Sequence, residues 1–89
     1  MNDDVEAVEV KEFGPHIVAD PRVCHGQLTF RGTRILVRVV LDQVARGMDW
    51  EDIARSWRGK VDHQAIADAV SLARNVLITT HEEHRRAAG

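Results

Sequence analysis

The chain has 89 residues, 44% of them hydrophobic and 29% charged, which fits one small globular domain and excludes a fully disordered chain or paired catalytic and regulatory domains. Its net charge of −2 is uneven: residues 1–20 hold one Lys against six acids, residues 21–60 eight Lys or Arg against four acids, and residues 61–89 three Arg against four acids. Only the middle of the chain is therefore suited to meeting phosphate. No run of 18 apolar residues is present, and the N-terminus is acidic where a signal peptide is basic, so a cytoplasmic protein without a membrane partner is expected.

Residues 1–12, MNDDVEAVEVKE, have charge at about half their positions and no aromatic, Leu or Ile anchor, the composition of an acidic arm outside the fold. Phe13-Gly14-Pro15 punctuates the chain and opens a domain spanning 13–80. His16 to Ala19 is a short β-prone run halted at Asp20-Pro21, because proline lacks a donor and biases its predecessor away from helix. Leu28-Thr29-Phe30 and Thr33-Arg34-Ile35 flank Arg31-Gly32, which predicts a hairpin with Phe30 opposite Thr33 and Leu28 opposite Ile35. Sharing the segment around Leu28, Phe30 and Ile35 between two chains would extend this small sheet, so a homodimer is expected.

The period then changes. Val37, Val40, Leu41 and Val44 fall at helical spacing, and Gly47 stops that helix. Asp49 is placed to cap a second helix carrying Trp50, Ile53, Ala54 and Trp57 on one stripe. After the break Arg58-Gly59-Lys60-Val61, Asp62 is placed to cap a third helix with Ile66, Ala69, Val70, Ala73 and Leu77 in phase. Ala65, Ala69 and Ala73 would let a neighbouring helix approach closely. Thr79-Thr80 lower propensity near its end, leaving 81–89 as a C-terminal tail. The fold class expected is mainly α, a tri-helical helix-turn-helix of the homeodomain-like kind with short N-terminal β-strands or a hairpin.

A helix-turn-helix reads DNA from the start of its second helix, here His63, Gln64, Ala67, Asp68 and Ser71. Gln64 suits adenine, and His63 or Lys60 suits phosphate, while Asp62 and Asp68 would repel a phosphate backbone. Arg31, Arg34 and Arg38, with Thr33 among them, form the most concentrated positive segment and are candidate phosphate contacts. Pairing with Asp20, Asp42 or the acidic arm is the competing use of these arginines. Trp50 and Trp57, seven apart on a stripe, are read as core. One cysteine, Cys24, excludes an intrachain disulfide. Neither Cys24 with His25 nor His81 with His84 supplies a metal-ligand set, so no metal or cofactor is expected. With no P-loop or nucleophile elbow, and with Asp49, Glu51 and Asp52 explained by helix capping and the helix dipole, the chain is not expected to be an enzyme.

Ile17 to Val37, IVADPRVCHGQLTFRGTRILV, resembles the diagnostic stretch of a bacterial domain-of-unknown-function family. The matching elements are Ile17, Asp20-Pro21, Gly26 and the box Gly32-Thr33-Arg34-Ile35, followed by Gly47, Trp50-Glu51-Asp52-Ile53 and the Asp62-to-Ala69 helix start, over roughly residues 16–77. Family members often carry Pro where this chain has Leu28 and Leu36, Gly where it has His25, and an aromatic-Pro step where it has Trp57-Arg58. The resemblance implies a homeodomain-like helix-turn-helix, usually dimeric, and a VapB-like antitoxin role beside a PIN-like ribonuclease toxin. Such a nuclease holds metal with carboxylates, so Arg85 and Arg86 are candidate toxin contacts, in competition with the acidic arm or the folded body. A stand-alone DNA-binding regulator and a dimeric protein-interaction adaptor are the alternatives.

Overall fold

The computed structural model describes residues 9–88; residues 1–8 of the acidic arm and Gly89 of the tail lie outside the described residues. Three short strands come first, β1 (Lys11–Glu12), β2 (Ile17–Ala19) and β3 (Leu28–Phe30), then three helices, α1 (Val37–Ala45), α2 (Trp50–Ser56) and α3 (His63–Ala88). The protein is mostly helical, with a three-stranded antiparallel sheet in the order β1-β2-β3.

The sheet differs from the hairpin expected between residues 28 and 35. The main partner of β3 is β2, with Ile17 opposite Phe30 and Val18 opposite Thr29. The segment after Gly32 adds only an isolated bridge, Thr29 to Leu36. Its loop is two residues longer than the one expected: Phe30 N–H donates to Ile35 O at 3.1 Å, and Thr33 N–H returns to Phe30 O at 3.0 Å. Thr33 fills the gap, since its hydroxyl donates to Phe30 O at 2.8 Å and accepts from Ile35 N–H at 2.9 Å. Gly32, at φ +78, makes the turn.

Ile17 and Phe30 point from one face of the sheet into a core completed by Val37, Val40, Ile53, Val61, Ala65, Ile66 and Ala69. Trp50 and Trp57 pack against that core, in line with the helical stripe. Of the three side chains expected to be shared between two chains, Phe30 is buried and Ile35 packs against the same cluster within one chain, while Leu28 is left exposed. The acidic arm also ends earlier than its composition suggests, since Lys11 and Glu12 pair with Ala19 and Val18.

Helix termini follow local chemistry. Gly47, at φ +84, ends α1: its N–H reaches Val44 O at 2.9 Å while Met48 N–H reaches Gln43 O at 3.1 Å, the two bonds of a Schellman cap. Asp62 caps α3 through Oδ1, which accepts from Ala65 N–H at 2.9 Å. Asp49 stands at the N-cap position of α2 without a side-chain cap bond; its carbonyl accepts from Ile53 N–H at 2.9 Å. Gly47→Ala, with a Cβ in left-handed backbone, is expected to cost about 1 kcal/mol. That corresponds to a thermal midpoint ~4–8 °C lower by circular dichroism, and an unchanged midpoint would contradict the cap.

α3 runs well past the expected end near Thr80. Its inner half packs on the body through Ala65, Ile66 and Ala69, which accounts for two of the three small residues, but Ala73 and everything from there to Thr80 is exposed. Val76, Leu77 and Ile78 are 62%, 70% and 52% exposed. The helical period ran on past the point where the body ends.

Candidate functional site

The second face of the sheet, opposite the core, lines a groove of about 950 Å³. Val18 and Thr29 form part of its floor, and Ile35, Leu36, Val39 and Trp57 supply apolar walls. Trp57 is fixed by its indole N–H, which donates to Gln43 Oε1 at 2.9 Å. Arg34 from the loop after β3, and Arg58 and Lys60 from the turn between α2 and α3, border the groove. Among the described residues none of these three cations enters an ion pair. Asp20 also borders the groove, but both its oxygens are taken by the Arg22 guanidinium at 2.9 Å, which holds its carboxyl below the usual carboxylate range.

The candidate residues named from the sequence separate into distinct roles. Arg31 does not stand free with Arg34. Its Nε donates to Pro15 O at 3.0 Å, and its terminal nitrogens reach Gly14 O and Glu12 Oε2, both at 3.4 Å, so it ties down the β1–β2 turn. The Thr33 hydroxyl is committed inside its loop, and Arg38 Nε donates to Gln27 Oε1 at 3.3 Å. Lys60 joins Arg34 at the groove. His63 and Gln64 are exposed at the start of α3, with the His63 ring edge-on to Trp50 at 6.4 Å. Arg85 and Arg86 are exposed near the end of α3, where Arg85 donates to Glu82 Oε1 at 3.1 Å.

The two acids expected to repel phosphate are both occupied. Asp62 is the α3 cap. Asp68 accepts from His16 N–H at 3.3 Å and lies 3.3 Å from His16 Nδ1, so it joins α3 to the β1–β2 turn.

Arg58 is the residue that sequence reasoning missed. Its backbone lies at φ +57, at the position after Trp57, the C-cap of α2, where its N–H reaches Arg55 O at 3.0 Å and Gly59 N–H reaches Ala54 O at 3.0 Å. A side chain in left-handed backbone is strained, and such strain concentrates at functional positions. His25, standing where the resembling family often has Gly, similarly adopts φ +59. Arg58→Gly is therefore expected to raise folding stability by up to about 1 kcal/mol while weakening any anion bound in the groove. Melting and binding measured on the same variant check both signs, and a destabilised variant would refute the strain.

Helices packed over one face of a small antiparallel sheet, with a groove bordered by Arg34, Arg58 and Lys60 on the other, define a small, mainly helical domain. The family described as "Protein of unknown function (DUF433)" matches residues 17–73, well over half of the chain, and the chain belongs to it. No curated protein and no solved structure matches the chain. Among the described residues, no helix is long and apolar enough to cross a membrane.

Proposed function

We propose that the chain is a VapB-like antitoxin, one that binds operator DNA through a homeodomain-like helix-turn-helix formed by α2 and α3 and that inhibits a PIN-like ribonuclease. The observation carrying the DNA half is a groove bordered by Arg34, Arg58 and Lys60, none in an ion pair among the described residues, with Lys60 three residues before the exposed first turn of α3. Cations fix a protein on the phosphate backbone while the start of a recognition helix reads base edges. His63 and Gln64 occupy those reading positions.

The nuclease half is supported by the family resemblance and by the outer half of α3. The outer half of α3 exposes Val76, Leu77 and Ile78 about 100° apart around the helix, apolar side chains open to a protein partner on more than one side, and Arg85 and Arg86 extend beyond them. A guanidinium placed among metal-binding carboxylates would pair with them and compete with the metal. Residues 81–88 are already helical, so binding through them orders fewer residues than a loose tail would.

The test has two arms. Anisotropy titration of a duplex from the chain's own promoter, across a salt series, is expected to show saturable binding that weakens steeply with salt; no binding at low salt removes the DNA half. Co-expression with the product of the adjacent gene is expected to yield a complex of suppressed ribonuclease activity, and deleting residues 81–89 is expected to restore activity. Full inhibition by that truncation would assign neutralisation to the folded body and away from Arg85 and Arg86.

A further inference from the structure

The groove has a second feature that a phosphate contact leaves unexplained: most of its surface is apolar, with Val18, Ile35, Leu36 and Trp57 beneath and beside the three cations. A surface of that composition fits an extended segment alternating apolar residues with carboxylates. The chain carries one in residues 1–8, MNDDVEAV, where Asp3, Asp4 and Glu6 are interleaved with Val5, Ala7 and Val8.

Strand register indicates where that segment starts. Glu12 lies opposite Val18, and Lys11 opposite Ala19, in the antiparallel β1–β2 pair. Directly opposed residues share a face of the sheet, so Glu12 is on the face of Val18 and Thr29, which is the groove face. Glu12 already uses it, meeting Arg31 at 3.4 Å. Carrying the register back one residue places Val10 abreast of Asp20, which borders the groove. Val10 thus stands at the rim of the groove, and the eight residues of 1–8 reach at most about 27 Å when extended.

We infer that residues 1–8 of this chain dock into its own groove, with Asp3, Asp4 and Glu6 against Arg34, Arg58 and Lys60, and thereby compete with nucleic-acid phosphate for the same cations. The competition rests on the DNA reading above; the docking does not. A tethered segment acts at an effective concentration on the order of millimolar. If its own affinity is ~0.1–1 mM, it occupies the groove about half to nine-tenths of the time and weakens a competing ligand by about two- to tenfold.

Deleting residues 1–8 removes none of the described elements, β1 included, and an unchanged melting midpoint checks that the truncated chain is a folded control. Amide chemical shifts compared between full-length and truncated protein are expected to differ at Gly32 to Leu36 and Trp57 to Lys60, and a synthetic peptide MNDDVEAVE added to the truncated chain is expected to restore the full-length shifts. The same peptide with D3N, D4N and E6Q is expected to bind several-fold more weakly. Unchanged groove shifts on truncation would overturn docking, as would equal binding of the neutralised peptide. Shifts in the full-length protein that fade on dilution would assign the arm to a second copy and overturn the intrachain contact. In duplex titrations the truncation is expected to bind about two- to tenfold more tightly; groove shifts without any duplex binding would uphold docking and overturn the DNA reading.

Discussion

Phe30→Ala is expected to remove about 3–5 kcal/mol of folding stability. Phe30 is among the largest fully buried side chains, and it stands opposite Ile17 where the sheet meets the helices. Truncation leaves a cavity that a three-stranded sheet of two- and three-residue strands cannot collapse without breaking the ladder. A domain of this size holds about 4–13 kcal/mol in total, so the variant is expected to melt more than ~12 °C below the parent and to be partly unfolded at modest denaturant. Leu28→Ala, on the same strand but exposed, is expected to shift the midpoint by only a few degrees. Equal midpoints for the two variants would mean that Phe30 is not the junction of sheet and helices.

The second large effect lies in the groove. If Arg34, Arg58 and Lys60 each neutralise one duplex phosphate, replacing all three with Ala is expected to reduce the slope of log affinity against log salt by about 2.7, and to weaken binding at 0.1 M salt by ~10²–10³-fold. The loss is expected for all duplex sequences alike, because phosphate contacts carry no sequence information. Gln64→Ala, by contrast, is expected to leave the salt slope unchanged and to relax sequence preference at one position, by about 1–3 kcal/mol if the contact is bidentate. Arg31→Ala separates structure from binding: its guanidinium holds Pro15 O and Gly14 O, so the expected outcome is a lower melting temperature with little change in slope. A triple variant that keeps the parental slope would dissociate the groove from nucleic acid.

Much of the helical architecture was legible because its determinants are close in sequence. The stripes Val37, Val40, Leu41, Val44 and Trp50, Ile53, Trp57 are set by a period of 3.6 residues, and each meets the core. The Gly47 stop and the Asp62 cap depend on backbone groups within five residues. Where such local signals had no tertiary counterpart they misled: Ala73 and Leu77 continue the stripe of Ile66 and Ala69, yet both are exposed because no element of the body lies beside them.

The candidate site was legible only in part. Arg34 and Lys60, which border the groove, were recognisable from local charge density and from position just before a helix start. Arg31 and Arg38 carry the same charge as Arg34, and nothing in their neighbours distinguishes them; the difference is made by Pro15, Gly14 and Glu12 for one and Gln27 for the other. Arg58 falls within a break in the helical pattern: its left-handed backbone is set by local cap bonds to Arg55 and Ala54 at a position where glycine is the usual signal, and its place on the groove is settled at a distance.

Sequence by itself determined the three helices, their starts and the stops of the first two, the turn at Pro21 and the positive middle segment, since each follows from side-chain periodicity, capping or charge among near neighbours. Only the tertiary structure decided that β3 pairs with β2, that Lys11 and Glu12 form a strand, and that Arg34, Arg58 and Lys60 are the cations left to face one groove. Strand partners and ion partners are chosen by which distant segments the packed core brings within hydrogen-bonding distance, and that choice is not encoded in any short window of the chain.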